Sequence, residues 1–222
     1  MNMWTEYQVS WLFLTQLCGS VPADPAIVEA WLSARKPKVK PPGGKSITAI
    51  QEEVFATLGE PEEDRPQILT FQRIDGMLCL RAATVRAHIK DCARVLSAQY
   101  IGKIQGERTY ATRVINGVYH DEAQYWLPIL RVDGTSITKP DGTRDKAIHV
   151  RGPRGEPLNS LKTFEYVQQP RVDFKLKVLG KSVSANDLEV LFTYGGVHGY
   201  GGERGDGEGR YTSTIEQQRE AE

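Results

Sequence analysis

The stretch that decides the fold of this 222-residue chain is rich in glycine and lies near its C-terminus. It reads Gly195-Gly196-Val197-His198-Gly199-Tyr200-Gly201-Gly202-Glu203-Arg204-Gly205-Asp206-Gly207-Glu208-Gly209-Arg210-Tyr211 and directly follows the apolar residues 188–194. Glycine has no Cβ, so a backbone of this composition can adopt φ > 0 and can bring its amide N–H groups close to a bulky anion. A phosphodiester backbone fits that description, and the stretch therefore predicts a loop that contacts nucleic acid.

Two arginines, Arg204 and Arg210, are interleaved with these glycines, and a guanidinium pairs with phosphate oxygens as a bidentate donor. The loop residues to which we assign phosphate contacts are Gly199, Gly201, Gly202, Arg204, Gly207, Gly209 and Arg210. The alternative is a flexible tail that binds nothing. A plain linker usually consists of Gly and Ser, however, and does not usually run into an aromatic residue and a strand-like Thr-Ser-Thr-Ile segment.

Length and composition limit the class of protein. A chain of this length with 40% hydrophobic residues forms one large domain, or one domain with a sizeable insertion. The three cysteines are too scattered for a disulfide framework or a zinc site, so a reducing cytoplasm is expected. Neither secretion nor membrane insertion is indicated.

Charge is unevenly distributed along the chain. The formal net charge is zero, which argues against an indiscriminate nucleic-acid binder. Residues 81–181 contain 18 Lys or Arg and 10 Asp or Glu, a net charge of +8 for that segment. Such a layout suits a one-sided RNA groove, although many soluble proteins have a similar one.

Hydrophobic periodicity and turn residues predict an α+β fold. Strands are predicted at 7–15, 68–73, 77–80, 125–130, 163–167 and 172–179, and helices at 26–35, 46–58, 82–100 and 184–192. Asp75-Gly76 is a strong hairpin signal between the second and third strands. The order is compatible with a ferredoxin-like β-α-β-β-α-β core in a single domain, 1–222, with a helical insertion at 19–66 and a β-hairpin insertion at 131–162.

The predicted helix 82–100 has an apolar stripe and a basic face. The stripe consists of Val85, Ile89, Cys92, Ala93 and Leu96, whereas Arg86, Lys90 and Arg94 recur at four-residue spacing on the other face. A basic face of this kind is usually a solvated helix surface, and an RNA-binding surface is the alternative.

Two motifs resemble the RAMP superfamily, the ferredoxin-like RNA-binding proteins that form backbone and processing subunits of CRISPR effector complexes. One is Gly-Gly-x-Arg-x-x-Gly-x-Gly-Arg-aromatic at 201–211. The other is the hairpin Phe71-Gln72-Arg73-Ile74-Asp75-Gly76-Met77-Leu78-Cys79-Leu80 followed by Arg81-Ala82-Ala83-Thr84-Val85-Arg86. The resemblance implies that Arg81, Arg86 and Lys90 contact RNA, and that a thumb-like hairpin bearing Arg151 and Arg154 separates short runs of bases.

The resemblance implies a guide-RNA-binding backbone subunit of a CRISPR-type ribonucleoprotein, in which base pairing by the RNA supplies specificity. The expected partners are the guide RNA, its paired target strand, and copies of this chain or related RAMP subunits. No membrane, small-molecule substrate or cofactor is expected, and no catalytic or metal-binding residue is assigned. The helical segment 26–58 has no counterpart that we can match, so a phage or mobile-element relative remains an alternative.

Two other functions remain open. The first is a phage-derived protein–protein module that binds no RNA and acts as a structural component or as a mimic of a CRISPR subunit. The second is a repeat-processing ribonuclease with a histidine general base, for which the candidates are His88, His120, His149 and His198. Some backbone subunits of the RAMP superfamily cut target RNA with an aspartate in the loop after the first strand. Asp24 lies in that loop here, although it is better explained as a helix cap.

Overall fold

Strands dominate the computed structural model, which describes residues 3–22, 67–99, 110–151 and 157–218. The predicted helices at 26–35 and 46–58, together with Asp24 and Arg154, lie outside the described residues. The strands are β1 (Trp4–Phe13), β2 (Gln16–Cys18), β3 (Val21–Pro22), β4 (Gln67–Thr70), β5 (Gln72–Ile74), β6 (Met77–Arg81), β7 (Val118–His120), β8 (Trp126–Leu130), β9 (Gly142–Arg151), β10 (Pro157–Gln168), β11 (Arg171–Leu179) and β12 (Tyr211–Gln217). The described helices are α1 (Ala82–Gln99), α2 (Tyr110–Gly117) and α3 (Ala185–His198), with a short 3-10 helix at Arg204–Asp206.

The chain divides into two units. The first contains Met1–Val21, Thr70–Thr143 and Glu165–Glu222, and the second contains Pro22–Leu69 and Arg144–Phe164. In the second unit, residues 162–164 of β10 pair in parallel with residues 67–69 of β4, and the Thr163 hydroxyl donates to Asp145 at 2.6 Å. Strand β9 pairs with β10 and ends at Arg151.

The first unit is built on one large antiparallel sheet. Its strand order is β12-β1-β11-β8-β6-β5, and β7 also pairs with β11. Along the chain, the elements β1, α1, β8, β11, α3 and β12 follow one another as strand, helix, strand, strand, helix, strand. The predicted α+β class is confirmed, and this order is consistent with a ferredoxin-like core.

Burial alternates along β1 and β11, because one face of the sheet packs on the core. In β1 the buried residues are Tyr7, Val9, Trp11 and Phe13, because successive side chains of a strand point to opposite faces. The Trp11 ring lies 4.3 Å from the Tyr211 ring in a stacked arrangement and 4.8 Å from the Phe174 ring, edge to face. The apolar stripe predicted for α1 is buried in the same core cluster.

The hairpin predicted at Asp75-Gly76 is confirmed. Both residues have positive φ, 50° and 77°, as a tight two-residue turn requires, and Ile74 pairs with Met77. The strand predicted at 68–73 is wrong in one respect, because it is interrupted at Phe71. The Phe71 side chain is buried and its amide donates to Glu165 Oε2 at 3.0 Å, which takes this residue out of strand pairing.

The last helix begins where predicted and ends later. Ser184 caps α3 in a capping box: the Asp187 amide donates to the Ser184 hydroxyl at 3.1 Å, and the Ser184 amide donates to the Asp187 carboxylate at 2.9 Å. The helix continues beyond the predicted end at residue 192 to His198 and includes Gly195 and Gly196. Both glycines are buried against Tyr211, where a Cβ would collide with it, so this pair serves helix packing rather than a loop.

None of the described helices is long and apolar enough to cross a membrane.

The capping box generates the first prediction. Replacing Ser184 with Ala removes one side of the reciprocal bond, and we expect the free energy of unfolding to fall by about 0.5–2 kcal/mol in urea titrations. Asn186→Ala is the matched control, because Asn186 is exposed in the first turn of α3 and is not part of the capping box. Equal losses in the two variants would contradict the capping role.

Candidate nucleic-acid interface

Backbone amides of the glycine loop, residues 199–210, donate hydrogen bonds to carbonyl oxygens of the same chain. The Tyr200 amide donates to the Gly209 carbonyl oxygen and the Gly209 amide to the Gln16 carbonyl oxygen, both at 2.8 Å. The Gly202 amide donates to the Cys18 carbonyl oxygen at 3.2 Å. Amides for which the sequence predicted phosphate contacts are therefore bonded within the protein. In the described part of the chain, Gly201 and Gly205 are the loop glycines whose amides have no such acceptor.

Glycine is required in the loop for close packing. Gly199 and Gly209 have φ of 81° and 72°, and Cβ atoms there would meet the backbone of Glu208 and Tyr200, respectively. A Cβ at Gly202 would lie 2.7 Å from the Gly19 carbonyl oxygen. The phosphate-binding role predicted for these three glycines is not needed to explain them, because L side chains fit poorly at such positions whether or not a ligand is present.

Tyr200 connects the loop to α1. Its side chain is buried, and its hydroxyl lies 2.6 Å from the Thr84 hydroxyl of α1. Burial raises the pKa of Tyr200 to about 12, so the phenol stays neutral and able to hydrogen-bond. The ring also packs 5.4 Å from the rings of Trp11 and His88. These contacts hold the N-terminal part of the loop against the helix.

An open pocket of about 410 Å³ lies between α1 and the loop. Its lining combines small residues, hydroxyl groups and charged side chains: Ser20, Thr84, Ala87, His88, Asp91, Arg94, Tyr200, Gly201 and Arg204. Arg94, Asp91 and Arg204 are exposed. Two arginines, one from the helix and one from the loop, therefore line the same open pocket.

Two histidines lie beside this pocket and differ in environment. His88 is 5% exposed and its Nε2 lies 3.0 Å from the Tyr211 hydroxyl; burial, followed by the charges of His198 and Arg204, lowers its pKa to about 3. His198 is half-buried, with Nε2 3.1 Å from Arg204 Nη1 and 3.9 Å from Asp91 Oδ2. Because a guanidinium only donates, His198 Nε2 accepts in that contact.

The structure separates the predicted RNA-binding residues into groups. Of those on the loop, Gly201 and Arg204 line the pocket. Arg210 is exposed and does not belong to the pocket lining. Arg86 lies outside the pocket: its guanidinium donates to the carbonyl oxygens of Val118 and Ile115 at 3.2 and 3.4 Å and covers the Tyr119 ring at 4.3 Å. These contacts give Arg86 a structural role. The sequence had placed Arg86 on a free basic face and did not predict that role.

Arg81 and Lys90 also lie outside the pocket lining. The Arg81 guanidinium lies 5.1 Å from the centroid of the Tyr125 ring. Lys90 is half-buried, and partial burial followed by the charges of Arg86 and Arg94 lowers its pKa.

Sequence reasoning missed Asp91 and Thr84, and it placed Arg94 on the basic face without assigning it to the site. The signal was present in the helix period, because Thr84, Ala87, Asp91 and Arg94 recur at spacings of three and four residues. Three or more metal-ligating side chains do not cluster anywhere among the described residues.

No protein-family model matches the sequence, and no curated protein matches it. The chain is similar to a chain of the "Cryo-EM structure of the Type III-B Cmr-beta bound to cognate target RNA", with 10% identity and a TM-score of 0.47. That match covers 99% of this chain and 62% of the other, which is less than two thirds of its length. A chain of the "Type IV-B CRISPR Complex" has 11% identity and a TM-score of 0.45, with 95% of this chain and 90% of that chain covered.

The packing of the loop generates a prediction about stability. Gly209→Ala places a Cβ against the Tyr200 backbone at a positive φ, and we expect the free energy of unfolding to fall by at least about 1 kcal/mol. Gly205→Ala is the matched control, because nothing lies within 4 Å of a Cβ there and no positive φ is required. Thermal melts that shift equally for both variants would contradict this account of the loop.

The burial of His88 generates a prediction about pH. Its pKa is about 6.5 in the unfolded chain and about 3 in the fold, so between these values the unfolded chain binds more protons. Stability should therefore fall as pH drops below about 6.5, by up to about 1.4 kcal/mol for each pH unit. Urea unfolding at several pH values should show a shallower dependence for His88→Gln, whereas the exposed-site control His149→Gln should behave like the parent. Identical slopes in the parent and His88→Gln would refute the assignment.

Proposed function

We propose that the pocket between α1 and the glycine loop binds the phosphate backbone of RNA. The observation that carries the proposal is that Arg94 and Arg204 line the same open pocket from two different elements. A guanidinium binds a phosphate through two parallel hydrogen bonds, and such contacts position a nucleic acid without reading its sequence. Ala87 and Gly201, which also line the pocket, leave room for a backbone to approach.

The solvent-facing side of the central sheet is a weaker candidate for the same task. Two of its three basic side chains on β11 form ion pairs with acidic neighbours: Arg171 Nη2 lies 2.6 Å from Asp173 Oδ2, and Lys177 Nζ lies 2.9 Å from Asp121 Oδ1. These ion pairs would have to open before either cation could bind a phosphate. Among the described residues Arg94 has no ion-pair partner, so binding a phosphate there breaks no existing pair.

We further infer that the chain is a guide-RNA-binding backbone subunit of a CRISPR-type ribonucleoprotein, assembled with copies of itself or related RAMP subunits. The support is the sequence resemblance of the glycine loop and of residues 71–86. Base pairing between the guide and a target strand then supplies specificity. In this proposal the chain is one RAMP-like domain, with insertions at 19–66 and 131–162, and the second insertion brings Arg151 and Arg154 to the RNA.

The proposed role is non-enzymatic. A histidine general base must accept a proton from the attacking group, and His88 instead has its Nε2 beside the Tyr211 hydroxyl in the core. At His198, Nε2 already accepts from Arg204. Both arrangements favour a site that holds RNA over one that cleaves it.

This proposal predicts the salt dependence of RNA binding. Arg94→Ala and Arg204→Ala should each weaken binding of single-stranded RNA and lower the slope of log affinity against log salt by about 0.7, because each loses one phosphate contact. Arg94→Lys should retain the slope and recover only part of the affinity, since an ammonium keeps the charge and loses the fork. Fluorescence titrations of the full chain at several salt concentrations give both quantities.

Lys139→Ala is the control, because Lys139 is exposed and lies outside the pocket lining. Its slope should equal that of the parent. If the parent purifies without RNA and binds none in titrations, the protein–protein module becomes the better account. Cleavage of the RNA by the parent would instead favour the processing ribonuclease.

A further inference from the structure

The lining of the pocket includes an aspartate, Asp91, as well as the two arginines. Asp91 lies three residues before Arg94 on α1, and its side chain is 53% exposed. Within the described part of the chain it accepts no hydrogen bond, and its Oδ2 lies 3.9 Å from the His198 Nε2 that accepts from Arg204. An exposed acceptor therefore stands in the surface that we propose binds phosphates.

A carboxylate accepts hydrogen bonds and cannot donate them when ionised. It repels a phosphodiester, so a ligand that occupies the whole pocket favourably must carry a donor next to its phosphates. The Thr84 hydroxyl of the same pocket is less suitable for this task, because it already donates to the Arg81 carbonyl oxygen at 2.6 Å and contacts the Tyr200 hydroxyl.

A ribose supplies such a donor in its 2′-hydroxyl, which is placed beside each phosphate along an RNA strand, and a deoxyribose lacks it. We propose that Asp91 accepts a hydrogen bond from a ribose 2′-hydroxyl and thereby makes the pocket select RNA over DNA. This inference rests on the proposed function, because it requires phosphates to be held by Arg94 and Arg204. Asp91 is then the specificity-determining residue of the site, and the arginines supply affinity common to both nucleic acids.

The test compares single-stranded RNA and DNA of one sequence as probes for the full chain. Asp91→Ala should lower RNA affinity about tenfold or more, the usual effect of losing a hydrogen bond to a charged group. The same change should leave DNA affinity unchanged or raise it, since a negative charge near the phosphates is removed. RNA and DNA affinity should therefore respond differently to this change, and the RNA-to-DNA affinity ratio is the decisive quantity. Asp91→Asn retains an acceptor oxygen and should keep part of the ratio.

Glu189→Ala is the matched control, because it removes one exposed carboxylate from another helix, α3, outside the pocket lining. It should change RNA and DNA affinities by the same small factor. An unchanged ratio in Asp91→Ala, with thermal melts like those of the parent, overturns the inference even if Arg94→Ala loses binding as expected. If Arg94→Ala and Arg204→Ala bind RNA like the parent, the proposed function fails instead, and the role of Asp91 fails with it.

Discussion

Close packing of helix α3 against strand β12 is the constraint on which the first unit depends. Tyr211 lies so close to Gly195 and Gly196 of α3 that a Cβ at either glycine would collide with it. The Tyr211 ring in turn stacks on the buried Trp11 ring of β1. The helix and the strand that flank the glycine loop are thereby held on the same core. A loop with both ends fixed in this way loses less conformational entropy when it binds a ligand than a free tail would.

The glycines of the loop have two different physical roles. At Gly199 and Gly209 the backbone itself fills the space beside Cα, so glycine is required for folding. At Gly205 nothing lies within 4 Å, and glycine there places no demand on the fold. Glycine density is therefore an ambiguous signal for ligand binding, because close approach of another part of the same chain requires the same residue type.

A net charge of zero does not decide whether this protein binds a polyanion such as RNA. On the central sheet, Arg171 and Lys177 are paired with Asp173 and Asp121, respectively. Two arginines from separate elements, in contrast, line one pocket. Asp91 in that pocket limits the attraction for phosphate and adds a demand for a hydrogen-bond donor. Local arrangement thus determines which ligands the surface accepts, since charges separated by more than a Debye length are largely screened.

The sequence by itself determined the features that depend on neighbouring residues. The buried stripe of α1, the Asp75-Gly76 turn and the start of the last helix at Ser184 were all predictable, because side-chain period, positive φ and capping bonds act over a few residues. Only the tertiary structure decided that α3 continues to His198 and that the Arg86 guanidinium donates to carbonyl oxygens of α2 and β7. The same holds for the hydrogen bonds from the loop amides to Gln16 and Cys18. Those outcomes depend on contacts between segments far apart in the chain, and such contacts leave no periodic or local pattern in the residues that make them.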